Sequence, residues 1–218
     1  MRHFISRSIV VSVLLFGSAL SASAGILNPE FNLPDSNSPP TSWASGPGTA
    51  NVLGNIGVDS GQNSPNSTGG TGAAYTNDDL YQILSDTVAS LTNYDLSADF
   101  FRYQTTSPTV TLQLYAADSG ENLATATLLG SMTVTLGAPN TWVSALLSVS
   151  SATIAGTADT SSGSVIGDNL LVATTTSTTW DYSDHWNLTA TAVPEPSSLM
   201  LVIAAITCGS IRRRRLAT

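Results

Sequence analysis

The chain contains no lysine. Its seven strongly basic residues are all arginines, and six sit near the ends, at Arg2, Arg7, Arg212, Arg213, Arg214 and Arg215. Residues 25–192 carry one, Arg102, against fourteen carboxylates, a formal net charge of −13. Such a body repels nucleic acid and anionic lipid, which removes nucleic acid from the expected partners. The one cysteine, Cys208, lies in an apolar stretch near the C-terminus, so residues 25–192 have no disulfide and no thiol nucleophile. That segment also holds a single histidine, His185. A Ser-His-Asp arrangement would have to use it, yet its neighbour Asp184 would point to the other face of a strand, and no G-x-S-x-G elbow is present. Paired carboxylates of the glycosidase kind are uninformative among so many acids. The sequence therefore predicts no enzyme.

What is present begins with the two ends. The opening "MRHFISRSIVVSVLLFGSALSASAG" has a basic start, an apolar run and the small-residue stop Ala22-Ser23-Ala24. That layout predicts a signal peptide over 1–24, cut by signal peptidase after Ala24 to leave Gly25 first. At the other end, residues 197–211 would reach about 22 Å as a helix, short of a hydrocarbon core of about 30 Å. The four arginines that follow can reach the cytoplasmic headgroups and set orientation, so a single, weak transmembrane helix is expected.

The three-part order of Val193-Pro194-Glu195-Pro196, the apolar stretch and Arg212 to Arg215 resembles the PEP-CTERM sorting signal of exported bacterial proteins. The resemblance implies that residues 193–218 are substrate for an exosortase, a membrane-embedded transpeptidase that cuts near the Pro-Glu-Pro. The prolines suit this by keeping the region out of a helix. The expected route is export, transient membrane anchoring, then the cell surface or extracellular matrix, with extracellular polysaccharide as a partner.

Between the ends, helical periodicity is nearly absent. Short runs rich in Val, Thr, Leu and Tyr alternate with Gly, Ser, Asn and Pro clusters, which predicts one all-β sandwich over 25–192. In "NYDLSADFFRY", Tyr94, Leu96, Ala98 and Phe100 share one face. "TVTLQLYA", "LLGSMTVTL", "TWVSALLSVS", "SVIGDNLLVAT" and "SDHWNLTATA" read as further strands, and residues 80–84 as a strand followed by a turn. "AGTADTSSGS" reads as a loop.

The order "LYQILSDTVASLTNYDLSADF", "TVTLQLYAADSGENLA", "DHWNLTATA", with the entry "GILNPEFNLP…SW", resembles jelly-roll domains of the galactose-binding and carbohydrate-binding-module type. That resemblance implies a jelly-roll β-sandwich and a structural Ca²⁺ whose ligands here would be Asn28, Glu30 and Asp184, with Asp168 as an alternative. The chain departs from the family pattern in having Asn32 after Phe31, with the acid before it at Glu30. Sugar binding calls for aromatic platforms. Trp180, Tyr182 and Trp186 lie close together, and Tyr182, Asp184 and Trp186 would share a face of an extended strand. Tyr75 and Tyr81 are further candidates, and Trp43 is expected to cover the end of the core. The leading expectation is a non-catalytic exported protein. The alternatives are a carbohydrate-binding-module-like protein and a small secreted glycan hydrolase.

Overall fold

A computed structural model of the chain describes residues 21–23, 25–27, 29–31, 42–45, 56–59, 64–66, 73–76, 79–102, 109–159, 163–176 and 181–194. Ala24, Asn28, Trp180, Glu195, Pro196, residues 197–211 and Arg212 to Arg215 lie outside the described residues.

The strands are β1 (Ser21–Ser23), β2 (Ala44–Ser45), β3 (Ile56–Asp59), β4 (Ala73–Thr76), β5 (Leu80–Thr87), β6 (Thr92–Arg102), β7 (Thr109–Ala117), β8 (Thr127–Thr135), β9 (Val143–Val149), β10 (Asn169–Thr176) and β11 (Asp181–Ala192). They form two antiparallel sheets. The first runs β3-β4-β11-β6-β9, with β1 paired to the far half of β11, and the second runs β2-β5-β10-β7-β8. From β4 to β7 the chain changes sheet at every connection. β7 and β8 then pair within one sheet, as β3 and β4 do, before the chain alternates again. This is the path of a β-sandwich that wraps around its own core, and it leaves few sequential neighbours hydrogen-bonded.

The inward faces follow from the two-residue side-chain period. Tyr94, Leu96, Ala98 and Phe100 of β6 and Val110, Leu112 and Leu114 of β7 are buried in one core, as the alternation predicts. At its centre lies a chain of rings. Phe31 packs on Trp43 at 5.5 Å, Trp43 on Trp186 at 4.9 Å, and Trp186 edge-on against Phe100 at 5.9 Å. Burying each such side chain stabilises the fold by about 1.5–3 kcal/mol, and no cysteine contributes to it.

Residues 25–27 and 29–31 strap the two sheets together. On the second sheet, the Gly25 amide donates to Asp86 Oδ2 at 2.8 Å and the Leu27 amide to Gln82 Oε1 at 2.7 Å. Gln82 in turn donates from Nε2 to the Leu27 carbonyl at 2.9 Å and to the Ser42 carbonyl at 3.0 Å. On the first sheet, the Pro29 carbonyl accepts from the Trp186 amide at 3.0 Å. Buried Gln82 is therefore a satisfied core residue that fixes the entry of the chain.

Four local expectations change. β5 continues to Thr87 instead of turning after residue 84. In "SVIGDNLLVAT" the strand starts at Asn169, because residues 165–168 form a turn closed by the Asp168 amide on the Val165 carbonyl, with Gly167 at a φ of +101°. A short helix, α1 (Ser151–Gly156), follows β9 and takes Ala155 and Gly156 from the start of the expected loop. Ser150 caps it by accepting from the Thr153 amide, and Ile154 plugs the core. The fourth change is in β11. Asp184 pairs with Asp99 and Asn187 with Ser97, so His185 and Trp186 together face Ala98 in a β-bulge. His185 takes a φ of +51° to make it. Tyr182 and Asp184 stay on the outer face while Trp186 turns into the core. The single face expected for Tyr182, Asp184 and Trp186 is thus split.

Candidate functional site

The bulge gathers several of the acids and aromatics singled out from the sequence. Asp184 is fully buried, and its oxygens accept from the Ser64 amide and the His185 amide, both at 2.8 Å. Asp99, its cross-strand partner, accepts from the Ser64 hydroxyl and from Asn66 Nδ2. Burial pushes the Asp184 pKa up to about 6; the two amides oppose the shift, and the charge of Glu30 adds to it. Glu30 itself faces His185, Oε1 to Nδ1 at 3.3 Å.

Of the implied calcium ligands, Glu30 and Asp184 are among the described residues and Asn28 is not. Both oxygens of Asp184 accept from backbone amides, and Glu30 pairs with the His185 imidazole. The bulge, invisible in the sequence, aims His185 at the Glu30 carboxylate. Asp168 instead meets Asp118 and Asp159 at the end of the sandwich carrying α1, with carboxylate oxygens mutually within 4.8 Å. Burial first, then a hydrogen bond with the Asp118 side chain and the charge of Asp118, push the Asp168 pKa up to about 6. Asp159 also accepts from the Thr127 hydroxyl at 3.2 Å.

The aromatics on β11 are taken up by packing. Tyr182 stacks on Phe101 at 4.5 Å and 19°, and Phe101 also meets Trp142 at 4.6 Å. Tyr182 is 7% exposed and Trp186 3%, so neither offers a free ring face. On the core side of the same strand, Asp181 is buried with both carboxylate oxygens unpartnered. Burial pushes its pKa up to about 7, against the pull of Arg102, its cross-strand partner.

The second sheet presents an outer face of aromatic and apolar side chains. Its outward positions fall into cross-strand rows fixed by register. One row reads Tyr81, Ala173, Gln113, Ser131 across β5, β10, β7 and β8; the next reads Ile83, Leu171, Tyr115, Leu128. Two tyrosines thus stand two strands and one pair apart, roughly 12 Å by strand spacing and rise. Both are part-buried against Leu171 and Ala173, which lets their rings lie over the sheet instead of standing free. Desolvation, reinforced by the charge of Asp79, raises the Tyr115 hydroxyl pKa above its ordinary value. Between the tyrosines, Gln113 Oε1 is buried and has no hydrogen-bond partner among the described residues. Ile83 and Leu128 extend the apolar floor into solvent at 41% and 46% exposure.

An apolar floor with two amphipathic rings suits a ligand that offers C–H faces and hydroxyl edges together. Tyr81 was a candidate from sequence. Tyr115 and Gln113 were hidden inside what reads only as a good strand, because their relation to Tyr81 depends on β10 lying between.

Neither the family models nor the curated proteins contain a match to this chain. Solved structures do share its fold. A cyclase from Fischerella sp. TAU superposes with a TM-score of 0.59 at 16% identity, over 81% of this chain and 100% of the other. The CBM22-1 xylan-binding domain of Xyn10C from Paenibacillus barcinonensis superposes with a TM-score of 0.50 at 13% identity, over 82% and 97%. At such identities the likeness is one of architecture, a two-sheet antiparallel β-sandwich, and such an architecture hosts many activities.

Proposed function

We propose that the chain is an exported, non-catalytic surface protein whose sandwich binds extracellular polysaccharide on the outer face of the second sheet. The observation that carries this reading is the Tyr81–Ala173–Gln113 row beside the Leu171–Tyr115 row. It places two half-sunk rings on one face at a spacing that calls for an oligosaccharide, not a single sugar. The surrounding charge argues the same way, because a body at −13 would repel acidic polymers and favours a neutral glycan. Asp99 and Asp184 meet beneath Ser64, which speaks for binding over hydrolysis. Binding of the full chain to neutral polysaccharides in affinity gels, with Tyr81→Ala and Tyr115→Ala as comparisons, tests the proposal.

Delivery is the second half of it. Residues 1–24 act as a leader, and 193–218 as a PEP-CTERM-type signal processed by an exosortase. In support, the Val193 amide still donates to the Leu91 carbonyl at 2.6 Å, so the body is anchored up to the residue that opens Val193-Pro194-Glu195-Pro196. Among the described residues no helix is long and apolar enough to cross a membrane, and 197–211 lie outside them.

A further inference from the structure

The bond between Gly25 and Asp86 changes character if the leader is removed where the A-x-A stop places the cut. Hydrolysis adds water across the Ala24–Gly25 peptide bond. The Ala24 carbonyl carbon takes the hydroxyl and departs as a carboxylate, and the Gly25 nitrogen takes protons to become an ammonium. That nitrogen already lies 2.8 Å from Asp86 Oδ2. We infer that maturation builds an ion-pair site: Asp86 receives the new α-ammonium of Gly25 and locks the N-terminal strap to β5. The inference rests on the leader reading above.

Three observations support it. Gly25 is exposed, so protons can be added there without desolvation, and it heads the strap whose next anchors are Leu27 on Gln82 and Pro29 on Trp186. The downstream contacts hold the nitrogen in place before it is charged, and a charge-assisted bond is about twice as strong as a neutral one. Second, β1 is three exposed residues long, paired with Thr189 to Thr191. So short a strand has no independent stability once the covalent link is cut. Its loss also removes Ala22 and Ser23 from one wall of a groove of about 230 Å³, whose titratable lining residues are Asp86 and Tyr94. No cation among those residues competes for Asp86. Third, the chain has no lysine, so after processing the Gly25 ammonium is the protein's sole primary amine.

That last fact makes the site readable. The full-length gene is expressed in an exporting host, the product's first residue is determined, and acylation by an amine-selective reagent is followed from about pH 6 to about pH 10. The labelling midpoint should lie at least half a unit above the ordinary α-amino range of about 7.7–8.0, and Asp86→Asn should return it to that range. Salt at about 1 M should shrink the shift in the unsubstituted protein, which needs no variant to fold. A start other than Gly25 overturns the leader boundary and this inference together. A Gly25 start with a midpoint unmoved by Asp86→Asn and by salt overturns the inference alone.

Discussion

Asp184 lies directly across the ladder from Asp99, and Ser64 bonds both carboxylates, its amide to the first and its hydroxyl to the second. Like charges opposite one another on neighbouring strands ordinarily destabilise a sheet. Here they persist because donors from a separate segment cover them: Ser64, and Asn66 at 2.9 Å from Asp99. Ser64→Ala removes a hydroxyl donor from a buried carboxylate and should cost about 1–3 kcal/mol, read as a lower midpoint in urea. An unchanged midpoint would mean that Asn66 alone satisfies Asp99.

Three carboxyls are pushed upward, Asp168 and Asp184 to about 6 and Asp181 to about 7. The unfolded chain holds these protons only below about pH 4, so between about pH 4 and pH 7 the folded state binds more protons than the unfolded one. Stability therefore falls as pH rises through this window and levels off above it. The melting temperature should be higher at pH 5 than at pH 8, the reverse of ordinary acid denaturation. Asp181→Asn, neutral at every pH, should flatten the slope between about pH 5 and pH 8. A slope that persists unchanged would place the titration elsewhere.

The parts of the fold legible in the sequence are those set by neighbours along the chain. The alternation in β6 and β7 names their inward residues because a strand's period is two. It fails in β11 at one residue: His185 adopts a left-handed conformation that "SDHWNL" does not advertise, and every side chain after it changes face. The helix α1 was masked for a related reason. Six residues of "SATIAG" are too few to show a helical period, and its Ser150 cap looks like any serine in a Ser/Thr-rich loop. The candidate face was half visible. Tyr81 could be suspected, but its partnership with Tyr115 and Gln113 is made by the register of β10, which lies more than fifty residues away in sequence.

The sorting reading makes its own prediction. In a host with an exosortase, replacing Pro194, Glu195 and Pro196 together by alanine should leave the full-length chain in the membrane fraction. The native protein should be recovered from the surface or medium without Arg212 to Arg215. Mass spectrometry of both products decides it. A native product that still ends at Thr218, or normal processing of the substituted chain, contradicts the reading. The sandwich should be indifferent to the change, since its last described backbone anchor is Val193 on Leu91.

The polysaccharide face is tested most sharply by separating contact from packing. Tyr81 and Tyr115 are each part-buried, so removing either ring deletes surface contact as well as some packing against Leu171 and Ala173. A stacking contribution of about 1.4 kcal/mol corresponds to a tenfold loss of affinity, expected for Tyr81→Ala and Tyr115→Ala alike. Tyr→Phe at either position keeps the stacking face and should lose less. Gln113→Leu replaces a buried, unpartnered amide oxygen by an apolar group of similar size, so it should leave stability equal or higher and affinity unchanged. Trp186→Phe, confined to the core against Trp43 and Phe100, should lower the melting temperature without changing affinity per folded molecule. If affinity instead follows Trp186 and ignores both tyrosines, the binding surface lies at the ring cluster of the first sheet.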